Sequence, residues 1–135
     1  MIRIEDIVYK VKKEFPEADL DLLRRSYLFA AKEHKGQKLA SGESYVVHPL
    51  EIANMLAELK LNEVCVGAGL LSNVLADSSV DFDTLRRHFG PEVTSIVDGA
   101  MKPIDSFDPS GDSRIGILKL VKRLATLKRL KYLPP

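Results

Sequence analysis

The chain has 135 residues, 45% of them hydrophobic and 29% charged, with a formal net charge of +1. That is one domain by length, with enough apolar material for a core and no overall charge excess to define a nucleic-acid partner. No apolar run approaches the ~20 residues of a membrane span, and no basic-then-apolar leader follows Met1, so neither a membrane segment nor a secretion signal is expected. The single cysteine, Cys65, cannot form an internal disulfide, which fits a reducing cytoplasm.

Helical periodicity runs through almost the whole chain. Ile4, Ile7, Val8, Val11 and Phe15 recur at helix spacing, and Pro16 ends that element. Asp19 is placed to cap a second helix carrying Leu22, Leu23, Tyr27, Ala30 and Ala31. Gly36 is placed to terminate it, because glycine enters the left-handed conformation without steric cost. Residues 37–47 read as a loop around Gly42. Pro49 suits the first position of a third helix, through Ile52, Met55, Leu56 and Leu59, where its missing N–H costs nothing. Asn62 caps a fourth helix, apolar on nearly every side from Val64 to Leu75, which predicts a central, buried position. Asp81 or Asp83 caps a short helix that stops at Gly90. Pro91 opens another with Val93, Ile96 and Val97 inward. Residues 103–112 carry Pro103, Pro109 and Gly111 among polar groups and read as a loop, followed by a last helix from about Arg114 to Leu133 that halts at Pro134-Pro135. No strand alternation, repeat or low-complexity tract interrupts this pattern. The expected class is all-α, a bundle of six or seven helices.

Charge is unevenly spread along that bundle. From Arg114 to Pro135 there are seven Lys or Arg and no acid, while the preceding 113 residues sum to −6. A basic end on an acidic body implies an anionic partner or a contact with the body itself; a solvated amphipathic helix explains it equally well. Lys119, Lys122, Arg123 and Arg129 recur at helical spacing, so they could track phosphates. The chain has no tryptophan and no nucleic-acid reading motif, so nucleic acid is not the expected partner.

The densest motifs lie between His34 and Asp77: His34-Lys35-Gly36-Gln37, Ser41-Gly42-Glu43-Ser44-Tyr45, His48-Pro49, and Gly69-Leu70-Leu71-Ser72-Asn73-Val74-Leu75-Ala76-Asp77, with Asp98-Gly99 further on. In this order they resemble the N-terminal HD hydrolase domain of the RelA/SpoT homologue family, which removes pyrophosphate from (p)ppGpp. The resemblance covers nearly the whole chain. It implies one HD-type domain over residues 1–135, shortened between Gly99 and Arg114.

It also implies where a divalent metal would be held, by a His before Pro, a His-Asp pair and a later Asp. The first position is His48. The pair falls on Ser72 and Asn73. The later motif, which in the family resembles Lys-Leu-Ala-Asp-Arg-Leu-His-Asn-Met, aligns with Lys119 to Leu127 and puts Lys122 in the place of the metal-binding Asp. Imidazole and carboxylate suit Mn, Fe or Zn, whereas an ammonium cannot ligate and repels the cation. The family's catalytic Glu-Asp falls on Ala76 and Asp77. A basic residue that helps hold the nucleotide falls on Leu39, with Lys38 one position earlier, and the Asn that contacts substrate falls on Thr126. His34, Lys35, Lys38, Ser41, Lys122 and Thr126 are the residues this leaves for contacting a nucleotide.

The same residues also have readings without the resemblance. His34 at a helix C-terminus favours the helix dipole when charged. His48 before Pro49 can serve as a helix cap. Ser72 and Asn73, inside an apolar helix, must find partners in each other, in His48 or in trapped water, or cost ~1–3 kcal/mol each. Asp77 lies one turn past Asn73 on the same side. Lys122 either pairs with Asp77 across the former metal cavity or points to solvent with Lys119, Arg123 and Arg129.

The expectation is therefore a catalytically degenerate (p)ppGpp hydrolase-like domain, regulatory, structural or nucleotide-binding, acting in the cytoplasm in alarmone metabolism. No cofactor is expected. Its expected partners are a guanine nucleotide or other phosphate ligand, and a synthetase domain or a second copy of itself. The competing reading is an active Mn²⁺-dependent (p)ppGpp pyrophosphohydrolase with an altered ligand set drawn from His34, His48, Asp77 and Asp98.

Overall fold

A computed structural model describes residues 2–102 and 111–130. Their regular elements are seven helical segments: α1 (Ile4–Glu14), α2 (Leu20–Glu33), α3 (Val47–Glu58), α4 (Glu63–Leu70), α5 (Val74–Asp77), α6 (Phe82–Ala100) and α7 (Ser113–Lys128). The only extended pairing among the described residues is one antiparallel bridge, Lys38 with Ser44. The all-α expectation holds.

The capping chemistry read from the sequence is in place. Asp19, Asn62 and Asp81 accept hydrogen bonds from the backbone N–H groups of Leu22, Cys65 and Thr84, so each satisfies an orphan donor of its first turn. Gly90, at φ +86°, breaks α6 into two arms immediately before Pro91, as the sequence predicts.

Three boundaries differ from the reading. Helix α3 starts at Val47, so Pro49 is its third residue. Proline is still harmless there, because the first turn leaves its N–H groups without intrahelical partners anyway. The cap is Val46, and His48 lies inside the helix, so the capping reading of His48 does not hold. The apolar run to Leu75 is not one helix, because α4 ends at Leu70 and α5 resumes at Val74. Finally, α7 stops at Lys128, short of the expected Leu133. The expected loop at 103–112 and the Pro134-Pro135 stop fall largely outside the described residues.

Helix α4 is the hub of the bundle and packs against α2, α3, α6 and α7. Its residues from Cys65 to Leu70 are all buried. Two glycines bring it close to its neighbours: a Cβ at Gly69 would lie 2.6 Å from Leu56 Cδ1 and 3.5 Å from the Ala53 Cα, and one at Gly67 would lie 3.4 Å from Ser26 Oγ. Cys65 is buried in this layer, and burial pushes its thiol up to about 11, which leaves it unreactive. Helix α7 closes the bundle through Leu118, Val121 and Ala125. Its first turn sits on α6 at Gly99, where a Cβ would meet Ile115 at 2.6 Å. This fixes which face of α7 looks inward, and therefore where Lys122 and Arg129 go.

Candidate functional site

The loop between α2 and α3 is folded back on itself. Leu39 N–H donates to the Glu43 carbonyl (2.9 Å) and Tyr45 N–H to the Gln37 carbonyl (3.0 Å). Gly36 and Gly42, at φ +87° and +88°, make the two reversals, where a side chain would be strained. This places Tyr45 between two histidines. Its ring lies 4.5 Å from that of His34 and 6.5 Å from that of His48, centroid to centroid.

The chain segment after α4 completes the other wall. Leu71 to Asn73 form turns instead of helix, and the α-helical pattern restarts where Asp77 N–H donates to the Asn73 carbonyl at 2.8 Å. Ser72 and Asn73 therefore sit in the gap between two helices, not mid-helix. Tyr45 Oη donates to Asp77 Oδ2 at 2.5 Å, and Gln37 Nε2 donates to the Asp77 carbonyl at 2.7 Å. Burial, and then the Asp77 carboxylate, hold the Tyr45 phenol above its ordinary range and so protonated.

Lys122 reaches this gap from α7. Its Nζ donates to the Ser72 backbone carbonyl at 3.3 Å. Of the two placements open to it, the inward one is correct, but its partner is a carbonyl instead of the Asp77 carboxylate. Burial lowers the Lys122 ammonium below its usual range, and the Asp77 charge partly offsets this. His48 is lowered as well, by burial first and then by the charges of Arg129 and Lys122, against the opposing pull of Glu51 and Asp77. Three polar atoms in this region are shut off from solvent without a hydrogen-bond partner: His34 Nε2, His48 Nδ1 and Ser72 Oγ. His34 is only 1% exposed, its Nδ1 2.9 Å from Gln37 Oε1, so it is a buried ring that orders the loop, more than a surface charge on a dipole. Neither of the partners expected for Ser72 Oγ, Asn73 or His48, is bonded to it.

A cavity of about 200 Å³ opens beside His48, lined by Leu39, Ala40, Ser41, Tyr45, Thr126, Arg129 and Leu130. It thus gathers Ser41 and Thr126 from the expected nucleotide contacts, together with His48. Lys35 and Lys38 are exposed on the loop outside this lining. Ala76 is exposed at the rim of α5 and Asp98 is exposed on α6. Two residues were not anticipated. Tyr45 organises both histidines. Arg129, expected at the surface, has a side chain only 14% exposed and is held by Glu43 and Glu51. The basic residues of α7 therefore do not form one solvent face: Lys122 and Arg129 turn inward.

The residues present do not fit a divalent ion. Of the four positions that the resemblance implies for a metal, only His48 carries an imidazole; Ser72 and Asn73 offer neutral oxygen, and Lys122 carries an ammonium. Among the described residues no group of three or more His, Cys, Asp and Glu side chains is placed to hold a metal. The alternative set of His34, His48, Asp77 and Asp98 forms no such group among the described residues.

His48 makes a testable contribution to stability. Its folded value lies below the unfolded one, so the unfolded chain takes up the proton first as pH falls. Stability is then lost as pH drops below about 6.5, with a slope of up to about 1.4 kcal/mol per pH unit. His48→Gln will flatten the urea-melt stability profile below about pH 6.5. An unchanged slope would mean that the imidazole titrates normally.

Comparison with known proteins places this geometry. The family model of the HD domain matches residues 26–107. A GTP pyrophosphokinase of Myxococcus xanthus is 44% identical over 92 residues, covering 68% of this chain and 12% of the relative. A GTP pyrophosphokinase of Streptomyces coelicolor is 32% identical over 149 residues, covering 96% of this chain and 18% of the relative. The chain thus spans less than a fifth of the length of these relatives. A solved structure described as a metazoan ortholog of SpoT that hydrolyzes ppGpp and plays a role in starvation responses shares the fold, with a TM-score of 0.71 at 22% identity over 83% of this chain and 71% of that one. No helix among the described residues is long and apolar enough to cross a membrane. The chain belongs to the HD-domain family, as an HD domain of the RelA/SpoT homologue type.

Proposed function

We propose that this is a catalytically degenerate HD domain in (p)ppGpp metabolism, one that keeps the pocket of an alarmone hydrolase without the metal-activated water. The observation that carries this reading is the Lys122 ammonium at the Ser72 carbonyl, 3.3 Å away. A fixed cation there opposes a second cation at the same point. With Ala76 in place of a carboxylate, the acid–base partner of any attacking water is also missing.

What remains is suited to binding. The cavity beside His48 offers the Ser41 and Thr126 hydroxyls and the Arg129 guanidinium, groups that contact phosphate. At about 200 Å³ it is smaller than the usual range for a drug-sized ligand, so a whole guanine nucleotide would need the loop at 37–46 to open. The role we assign is regulatory or architectural, within a longer polypeptide that carries a synthetase or beside one.

The test is elemental analysis of the purified protein together with a turnover assay on ppGpp in millimolar Mn²⁺. Less than a tenth of an equivalent of Mn, Fe, Zn or Co, and no release of pyrophosphate, are expected. A full equivalent of tightly held metal, or turnover abolished by EDTA, would overturn the reading.

A further inference from the structure

Helix α7 is apolar on two separate faces. Its inner side, Leu118, Val121 and Ala125, is at most 2% exposed. On the outer side Leu120, Leu124 and Leu127 are 50–57% exposed, and Leu130 continues the row at 50% just past the helix end. The spacing of four, three and three residues keeps these leucines on one stripe of the helix surface. A helix of a two-layer bundle ordinarily turns polar side chains outward, so an apolar stripe on both sides marks a helix made to lie between two layers. The described residues supply only the inner one. The other large exposed apolar side chains, Tyr9, Leu28, Leu59, Phe82 and Met101, are spread over separate elements, which is ordinary for a surface.

Charge says what covers the stripe. From Ser113 to Leu130 there is no acidic residue. At 100° per residue Arg123 falls on one side of the Leu120–Leu124–Leu127 row and Lys128 on the other, and both are exposed. Neither has an ion-pair partner among the described residues, in contrast to Arg114, which is paired with Glu92 and Asp112. A second copy of this chain docked through the same stripe would set these cations against their equivalents. A helix with apolar residues along its centre and carboxylates on its flanks would bury the leucines and pair both cations.

We propose that the outer face of α7 is a docking surface for an acidic amphipathic helix of a partner polypeptide. The surface is built from Leu120, Leu124 and Leu127, flanked by Arg123 and Lys128. It is separate from the cavity beside His48, because none of these five residues lines that cavity.

The probe is a synthetic amphipathic helix of about eighteen residues, with leucines at every third and fourth position and glutamates on both flanks. Its counterpart carries lysines in place of the glutamates. Binding is followed by fluorescence anisotropy, and the oligomeric state of the chain alone by light scattering. The glutamate peptide is expected to bind at least about tenfold more tightly than the lysine peptide, and to weaken as salt rises. Leu124→Glu with Leu127→Glu should abolish this binding while leaving the thermal midpoint unchanged, since both side chains are half exposed. Arg123→Glu with Lys128→Glu should invert the preference between the two peptides. Equal binding of the two peptides, or binding of neither, would overturn the proposal. So would a dimer of the chain alone that the leucine variant dissociates, because the stripe would then be a self-interface.

Discussion

Changing Ser72→His, Asn73→Asp, Ala76→Glu and Lys122→Asp together is expected to raise the manganese retained after dialysis from less than a tenth of an equivalent to about one. The backbone is already suited to the change. Residues 71–73 lie in the gap between α4 and α5, the Lys122 side chain reaches the Ser72 carbonyl from α7, and His48 is in place. What is missing is ligand chemistry, an imidazole and carboxylates in place of neutral oxygen and an ammonium. Single replacements will do little, because ligands act as a set and one imidazole with one carboxylate leaves an ion most of its water shell. Lys122→Asp alone is expected to remove the repulsion and still hold no metal. The quadruple variant should also melt higher in excess Mn²⁺, by about 2.7 kcal/mol at a hundredfold excess over Kd, where the parent does not respond. A variant with intact helical circular dichroism and no bound metal would show that the four side chains do not converge as argued.

The second large effect concerns the hub. Gly69→Val should destabilise the chain by about 2–4 kcal/mol, a fall of roughly 7–14 °C in the thermal midpoint. A Cβ there already meets Leu56 Cδ1 at 2.6 Å and Ile52 Cγ2 at 3.4 Å, and both neighbours are fully buried with nowhere to move. The γ-methyls of valine add to a clash that improved helix propensity, worth well under 1 kcal/mol, cannot offset. Gly116→Ala is the control of opposite sign. Its Cβ would meet nothing within 4 Å, on an exposed position of α7, so the substitution should stabilise by about 0.5–1 kcal/mol. Equal effects at the two sites, in paired urea melts, would mean that α4 is not packed as tightly as described.

The helices were legible in the sequence because their signals are local. Asp19, Asn62 and Asp81 each stand before an apolar periodic run, and a carboxylate or amide there has one obvious use. Gly90-Pro91 can only be a break. The gap in α4–α5 was not legible, since Gly69 to Leu75 is as apolar as a buried helix. Its interruption depends on packing against neighbours far away in sequence. The site divides in the same way. Motif order points to His48, Ser41 and Thr126. The motif that contains Tyr45 does not reveal its importance, which comes from two rings that fold to either side of it. Helical spacing groups Arg129 with the solvent-facing cations, because it cannot reveal two carboxylates 86 and 78 residues earlier in the chain. The basic run on α7 was visible as composition, but its division into inward and outward members is a property of which face meets the bundle.

The pairing of Arg129 with Glu43 and Glu51 constrains how this protein can vary. One guanidinium, largely shielded from water, anchors the bridged loop and α3 to the final turn of the last helix. Neutralising the arginine strands two carboxylates beside each other, and removing either acid weakens the hold on one element while leaving the other tethered. The three positions are therefore coupled through one guanidinium and are expected to vary together. Drift at one is tolerated only with matching change at its companions, and a relative with a different residue at position 129 should differ at 43 or 51 as well.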